Sequence, residues 1–302
     1  MPVLYNLREY HRPNDLDEAI RLVQRKEIKT IALAGGIGVV GEGGPDIEAV
    51  VDLSNLGLDF IEYENNTLLL GAMVRIEALV EELGYVASGL LAETARRVAG
   101  ANVRNVATLG GLLASGNIHS PLSVALAAMK ARVKLYGQAG EMSFWTDLAS
   151  DVCLRGLDGQ LITAVTIRMP DGVIGAGYQQ VARTPADQPI VCAASVAYHT
   201  ADGTIETSTG IGGLLCNRLI SITHTFEDND HSLVDETLFG QITPDRTSET
   251  AYLSDFLGSA EYRRHIAPIL AQRALNIALD RLGGGSWRAW AGGDDKGRQE
   301  KV

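Results

Sequence analysis

Apolar residues between Pro13 and Lys26 fall at Leu16, Ala19, Ile20 and Val23, one face of an amphipathic helix. Asp15 and Glu18 stand at its start in D-x-x-E spacing, a helix-opening signature. TIALAGG (30–36) reads as a buried strand entering a glycine-rich turn, and IEAVVDLSNL (47–56) as a second strand ending in a turn, so the chain opens on a small β-α-β-like unit. TLLLGAMV (67–74) predicts another strand. In RIEALVEEL (75–83), Ile76, Leu79, Val80 and Leu83 keep the helical period. SGLLAETARRVAG (88–100) repeats that pattern and stops at Gly100, a helix C-terminal glycine by its position.

A second glycine-rich loop is expected in ANVRNVATLGGLLASGN (101–117), then an apolar helix in PLSVALAAMKA (121–131), a hairpin in RVKLYGQAGEM (132–142) and a strand in LITAVTIRMP (161–170). Pro170, Asp171 and Gly172 break that strand and place a domain boundary near 172–177. Strand-like runs follow in 177–182, 189–200, 203–213 and 218–226, separated by Gly, Asp and Pro, as in a meandering antiparallel sheet. A helix over 259–279 carries Ile266, Leu270 and Ile277 on one face, with Pro268 in a first turn or at a kink. Strands followed by helices on one side make the second unit α+β. The glycine-rich, charged stretch 286–302 reads as a flexible tail, with Trp287 and Trp290 as a candidate anchor to a partner.

Composition narrows the functions. The chain has 302 residues, 46% of them hydrophobic, enough for two globular cores. A formal net charge of -11 with no basic block opposes nucleic-acid binding. No window approaches ~18 consecutive apolar residues, which argues against a membrane span. The first fifteen residues lack a basic segment followed by an apolar one, so a cytoplasmic protein is expected. Cys153, Cys192 and Cys216 stand far apart, which suggests three small core residues and neither a disulfide framework nor a metal or iron–sulfur site.

Chemistry concentrates in the two glycine segments. Gly36, Gly38 and Gly41 spell G-x-G-x-x-G, but Gly43, Gly44 and Pro45 follow at once, and a Rossmann turn requires a helix starting within the motif. No Gly-Lys-Ser/Thr follows, which excludes a P-loop. Two readings remain: a tight turn without a ligand, or a nest of backbone N–H groups that accepts an anion. A second segment at Gly110 and Gly111 favours the nest, because two such loops could grip the two ends of an extended dinucleotide.

With those residues the chain resembles the FAD-binding, or medium, subunit of the molybdenum hydroxylases. Ala34, Gly35 and Gly36 are similar to the family's A-G-G-T-D-L segment. Arg104, Asn105, Thr108, Leu109, Gly110 and Gly111 are similar to its I-R-N-x-G-T-I-G-G-N-L segment. LITAVTIRMP resembles the strand ending the flavin domain, 177–197 the entry to the C-terminal domain, and 259–275 its closing helices. The resemblance implies an α+β fold: a two-subdomain FAD-binding domain of the vanillyl-alcohol oxidase (PCMH) type over 1–174, with subdomains of about 1–55 and 56–174. A smaller α+β domain with an antiparallel sheet and helices follows over 175–285. It further implies FAD as cofactor, a molybdenum-cofactor large subunit and a 2Fe-2S small subunit as partners, and a homodimer of that complex as one arrangement. Electrons would pass from the iron–sulfur subunit through FAD to an acceptor.

The implied FAD-binding residues are Ala34, Gly35, Gly36, Ile37, Gly38, Arg104, Asn105, Thr108, Leu109, Gly110, Gly111, Asn117, Ile162 and Gln179; no catalytic side chain and no metal ligand is expected. Several depart from the family pattern. Ile37 and Gly38 replace Thr and Asp, Leu112 replaces Asn, Asn117 and Pro121 stand where acidic residues are usual, and Gln179 stands at a Lys-like position. At ~0.5–1.5 kcal/mol per hydrogen bond, losing three or four weakens affinity roughly 10²- to 10⁴-fold. Two readings follow: a flavoprotein electron-transfer subunit, or a degenerate member without FAD that serves assembly or binds another ligand in the old cleft. His119 is expected to face solvent, Arg183 to join the two domains, and Tyr262 and Arg263 to pack the closing helices.

Overall fold

A computed structural model of the chain describes residues 4, 6–38, 44, 46–138, 141–148, 157, 159–184, 187–216, 219–227, 239 and 252–283. They form an α+β fold built on three sheets.

The first is a small parallel sheet of β1 (Glu9–His11), β2 (Thr30–Leu33) and β3 (Ala49–Asp52), in the order β1-β3-β2. Helix α1 (Leu16–Gln24) links β1 to β2. Its N-cap Asp15 accepts from the Glu18 amide at 2.7 Å, as the D-x-x-E spacing predicts. Ala19 and Ile20 are buried, with Leu16 and Val23 beside them.

The second sheet has five antiparallel strands in the order β4-β5-β8-β6-β7: β4 (Ile61–Glu64), β5 (Thr67–Gly71), β6 (Arg132–Gln138), β7 (Glu141–Asp147) and β8 (Leu161–Arg168). Between β5 and β6 the chain forms α2 (Ile76–Glu82), α3 (Leu90–Arg96), α4 (Ala101–Arg104), α5 (Leu109–Ala114) and α6 (Pro121–Ala128). The third sheet is a meander of β9 (Ile174–Val181), β10 (Val191–His199), β11 (Thr204–Gly212) and β12 (Ile220–Glu227), and α7 (Ala260–Leu282) follows it.

Several expectations change. β1 and β4 are short strands whose patterns gave no signal. Gly100 does not end a helix; α3 stops at Arg96, and Gly100, with extended backbone, is the N-cap of α4. The segment 101–117, read as a loop, is mostly helical, because Thr108 caps α5 and Gly110 is buried against Ala72. Helices cover both faces of the third sheet: α7 lies on one, and α6 on the other. Every residue of α6 is buried, which explains a segment apolar on all sides. One core therefore runs from Leu70, Val133 and Val165 through Leu122 and Leu126 to Tyr178 and Val196.

In α7 the buried stripe is Ala267, Ala271, Ala274 and Ala278 with Leu270 and Leu275, while Ile266 and Ile277 are only half-buried. Small residues are needed because the helix backbone lies on β9, where a side chain at Gly177 would overlap the Ala274 carbonyl. Pro268 sits inside the continuous helix, beyond its first turn. Cys192 is buried but Cys216 is exposed, and Cys153, Trp287 and Trp290 lie outside the described residues. Among the described residues no helix is long and apolar enough to cross a membrane, and no cluster of metal-ligating side chains occurs.

Candidate functional site

The two glycine segments meet in space. β2 delivers Ala34, Gly35 and Gly36 to the edge of the parallel sheet, where Gly36 takes the left-handed conformation with φ of 75°. Ile37 and Gly38 have helical backbone, so the turn curls more tightly than the glycine run suggested; residues 39–43 lie outside the described residues. A methyl on Gly35 would overlap the Val106 carbonyl oxygen, and one on Gly111 would come within 3.9 Å of the Ala34 side chain. Only glycine lets the first segment lie flat against the second.

The second segment is held from below. The Gly110 amide donates to the Ala72 carbonyl at 2.7 Å, Leu109 to Val74 at 2.9 Å, and Ile76 to Ala107 at 2.9 Å. A Cβ on Gly110 would approach that of Ala72 to 2.7 Å. The Ala72 amide in turn donates to the Thr163 carbonyl of β8, next to Ile162, at 3.0 Å. Ile162 is buried in that strand and pairs in register with Leu135. Thr108 caps α5 by accepting from the Gly111 amide at 3.2 Å. Sequence patterns missed Val106, Ala72 and Thr163, since they contribute carbonyl oxygens; the small pair Gly71-Ala72 at a strand end was the one available signal.

This wiring decides which backbone donors are free. The Gly110 and Gly111 amides, expected to hold a phosphate, are already used inside the chain. Among the described residues the amides of Ala34, Gly35 and Gly36 have no acceptor. These three residues are half-buried and follow one another, the arrangement of an anion-accepting nest.

Other expected residues are placed differently. Arg104 is engaged within the chain: its Nε donates to Glu77 Oε2 at 2.5 Å, Nη2 to Glu77 Oε1 at 3.4 Å, and Nη1 to the carbonyls of Arg96 at 3.1 Å and Ala99 at 2.6 Å. It fastens α4 to α2. Asn105 caps the end of α4 and is exposed. Asn117 Oδ1 accepts from the His119 amide at 3.0 Å and from Gln188 at 3.5 Å. Gln179 lies on β9 opposite Ala193, and no hydrogen bond among the described residues ties it to the glycine segments.

His119 does not face solvent. It is 8% exposed, and burial, together with the nearby Arg263 charge, holds its imidazole below the usual histidine range. Arg183 is exposed and its ion pair is with Asp187, four residues on, at 3.9 Å, so no described contact makes it a bridge between distant parts of the chain. Arg263 is fully buried in α7; it donates to the Ile190 carbonyl, and to the Gly213 carbonyl at 2.7 Å, the Gly258 carbonyl at 3.2 Å and Asp255 Oδ1 at 2.5 Å. Tyr262 remains partly exposed.

A parallel and an antiparallel sheet joined at a glycine cradle, with a further antiparallel sheet and closing helix, define a protein of α+β type. Residues 5–168 match the family described as FAD binding domain in molybdopterin dehydrogenase, and the chain belongs to that family. It is similar to the carbon monoxide dehydrogenase medium chain of Afipia carboxidovorans, 25% identical over 90% of this chain and 97% of that one. It is also similar to the nicotine 6-hydroxylase medium subunit of Paenarthrobacter nicotinovorans, 26% identical over 88% and 95%. Reconstituted CO dehydrogenase from Oligotropha carboxidovorans superposes with a TM-score of 0.75 at 25% identity, covering 90% of this chain and 98% of that chain. Quinoline 2-oxidoreductase from Pseudomonas putida 86, at 22% identity and a TM-score of 0.69, shares the fold. The chain is thus an FAD-binding medium subunit of the molybdenum hydroxylase type, a subunit of an oxidoreductase, with FAD as cofactor.

The residues present fit FAD through backbone more than side chains. The amides at 34–36, without an acceptor among the described residues, suit a pyrophosphate, and Gly111 borders that cradle without a side chain, an added Cβ standing 3.9 Å from that of Ala34. Ile37, 47% exposed, and Gly38, with open space around it, supply no hydroxyl or carboxylate.

Proposed function

We propose that this chain relays electrons from a 2Fe-2S subunit through FAD to an acceptor, within a complex whose molybdenum-cofactor subunit oxidises the substrate. The observation that carries the reading is the run of three acceptor-free amides at Ala34, Gly35 and Gly36 beside the Gly111 surface. When bound, FAD supplies the redox chemistry. The chain's part is to hold the pyrophosphate on those amides, with Thr108 and Ala72 keeping the opposing segment in place. Ile162, Asn117 and Gln179 are the remaining candidates to border the cofactor. In this reading residues 1–174 form the flavin domain, 175–285 the second domain, and the complex is cytoplasmic and dimerises.

The test is an absorbance spectrum of the purified chain, before and after incubation with FAD and gel filtration. Bands near ~375 and ~450 nm co-eluting with protein are expected. Their absence from both samples would overturn the relay and leave a degenerate member serving assembly, the reading that the polar losses at Ile37, Gly38 and Leu112 favour.

A further inference from the structure

A cavity of about 340 Å³, lined by no residue of the glycine segments, opens where β8 ends beside the third sheet. Small-molecule sites span roughly 300–1,000 Å³, so it is large enough for a small organic ligand. The end of α6 and the face of β10 and β11 that α6 covers form its walls. Val196 and Ser208 are register partners on that face, with Tyr198 two residues further along β10. Met129, Pro170, Ile174 and Val196 make the lining predominantly apolar.

Four polar side chains decide what such a cavity could take. Lys130 is spent on Glu206, with Nζ 2.6 Å from Oε1, and the Tyr198 hydroxyl donates to the same carboxylate. Arg168 is exposed, lines the cavity, and has no ion pair among the described residues. Ser208 is 1% exposed and its buried hydroxyl has no hydrogen-bond partner among the described residues. A buried, unpartnered hydroxyl in a cavity wall is costly unless something in the cavity meets it. An uncompensated guanidinium is a fork matched to a carboxylate.

We propose that this cavity binds a small monocarboxylate with an apolar body. Arg168 takes the carboxylate, Met129, Ile174 and Val196 cover the body, and Ser208 meets a polar atom of the ligand or its ordered water. None of the lining residues belongs to the cradle at 34–38 and 104–111, so the site is separate from the FAD site and the proposal does not depend on FAD retention. A ligand here would tie the end of β8 to β10 and β11, and would stabilise the junction between the second and third sheets by mass action.

Calorimetric titration of the full-length chain with 3-phenylpropionate, with and without FAD, tests this; octanoate is the unbranched second probe and 3-phenylpropanol the neutral control. Saturable binding of at least one acid is expected, weakened about tenfold or more in the alcohol and in Arg168→Gln, the loss of one charge-assisted bidentate contact. Arg168 is exposed at a strand end, so the variant should melt with the native protein. Ser208→Ala should leave the free chain equally or more stable while reducing affinity, because it removes an unpartnered hydroxyl. Failure of both acids to bind, or equal affinity for the native and Arg168→Gln chains, would overturn the proposal.

Discussion

The α-carbon of Gly35 lies against the carbonyl oxygen of Val106, a contact that places the two glycine segments edge to edge with no room for a side chain between them. Among the described residues the amides of Ala34, Gly35 and Gly36 have no acceptor, while Gly110 and Gly111 spend theirs on Ala72 and Thr108. One segment therefore offers donors, and the other acts as a wall.

Gly35→Ala should force the segments apart. Overpacking of this kind costs about 1–3 kcal/mol. The thermal midpoint should fall, and FAD affinity should drop further than the loss of stability accounts for, read from flavin fluorescence quenching on a chain still folded at the assay temperature. Unchanged FAD affinity would separate the contact from cofactor binding.

Arg104 should behave as a fastener. Arg104→Met removes hydrogen bonds from a charged group and should cost about 1.5–3 kcal/mol in urea unfolding. In a cycle with Glu77→Gln the coupling should be roughly 0.5–3 kcal/mol. FAD affinity should stay within about threefold, well under the tenfold that one lost phosphate contact represents. A larger loss would place its guanidinium at the phosphate after all.

Thr108→Val removes the cap acceptor for the Gly111 amide and should destabilise the chain by about 0.5–2 kcal/mol, with Thr108→Ser restoring most of it. Equal stability of the Val and Ser variants would show that the cap contributes little.

Acid stability should carry two separate components. Burial first, then the Arg263 charge, depresses the His119 pKa below its ordinary 6.5, so the unfolded chain binds the proton more readily. Its contribution is complete above pH 6.5 and declines as pH falls toward the folded value. Burial pushes the Asp255 carboxyl up, but the Leu257 and Gly258 amides and Arg263 outweigh it and hold it below its ordinary 3.8. That contribution is present above 3.8 and is lost below it. Urea midpoints against pH should show His119→Gln flattening the upper window and Asp255→Asn the lower one; identical profiles for all three chains would contradict both.

The elements most legible in the sequence were those whose signal is local. The Asp15 cap, the face of α1 and the meander from β9 to β12 follow from spacing that a few neighbouring residues specify. The two glycine segments were also visible, and so was their resemblance to a flavin-binding family that the match over 5–168 bears out. By contrast, Gly100 reads equally well as a helix end or a helix start, and the packing of α4 on α2 made it the latter.

Glycine placement and short-range periodicity were enough to mark an α+β second unit and the two glycine stretches, and the resemblance those stretches carry gave the family. They could not give which glycine amides stay free, that Arg104 is consumed by Glu77, or that His119 and Arg263 are buried. Those outcomes depend on carbonyls and carboxylates brought from distant parts of the chain: Ala72 beneath Gly110, Glu77 beside Arg104, Ile190 and Gly213 around Arg263. A residue's type states which bonds it can make. Folding assigns those bonds, because each buried donor takes whichever acceptor the packing brings within reach.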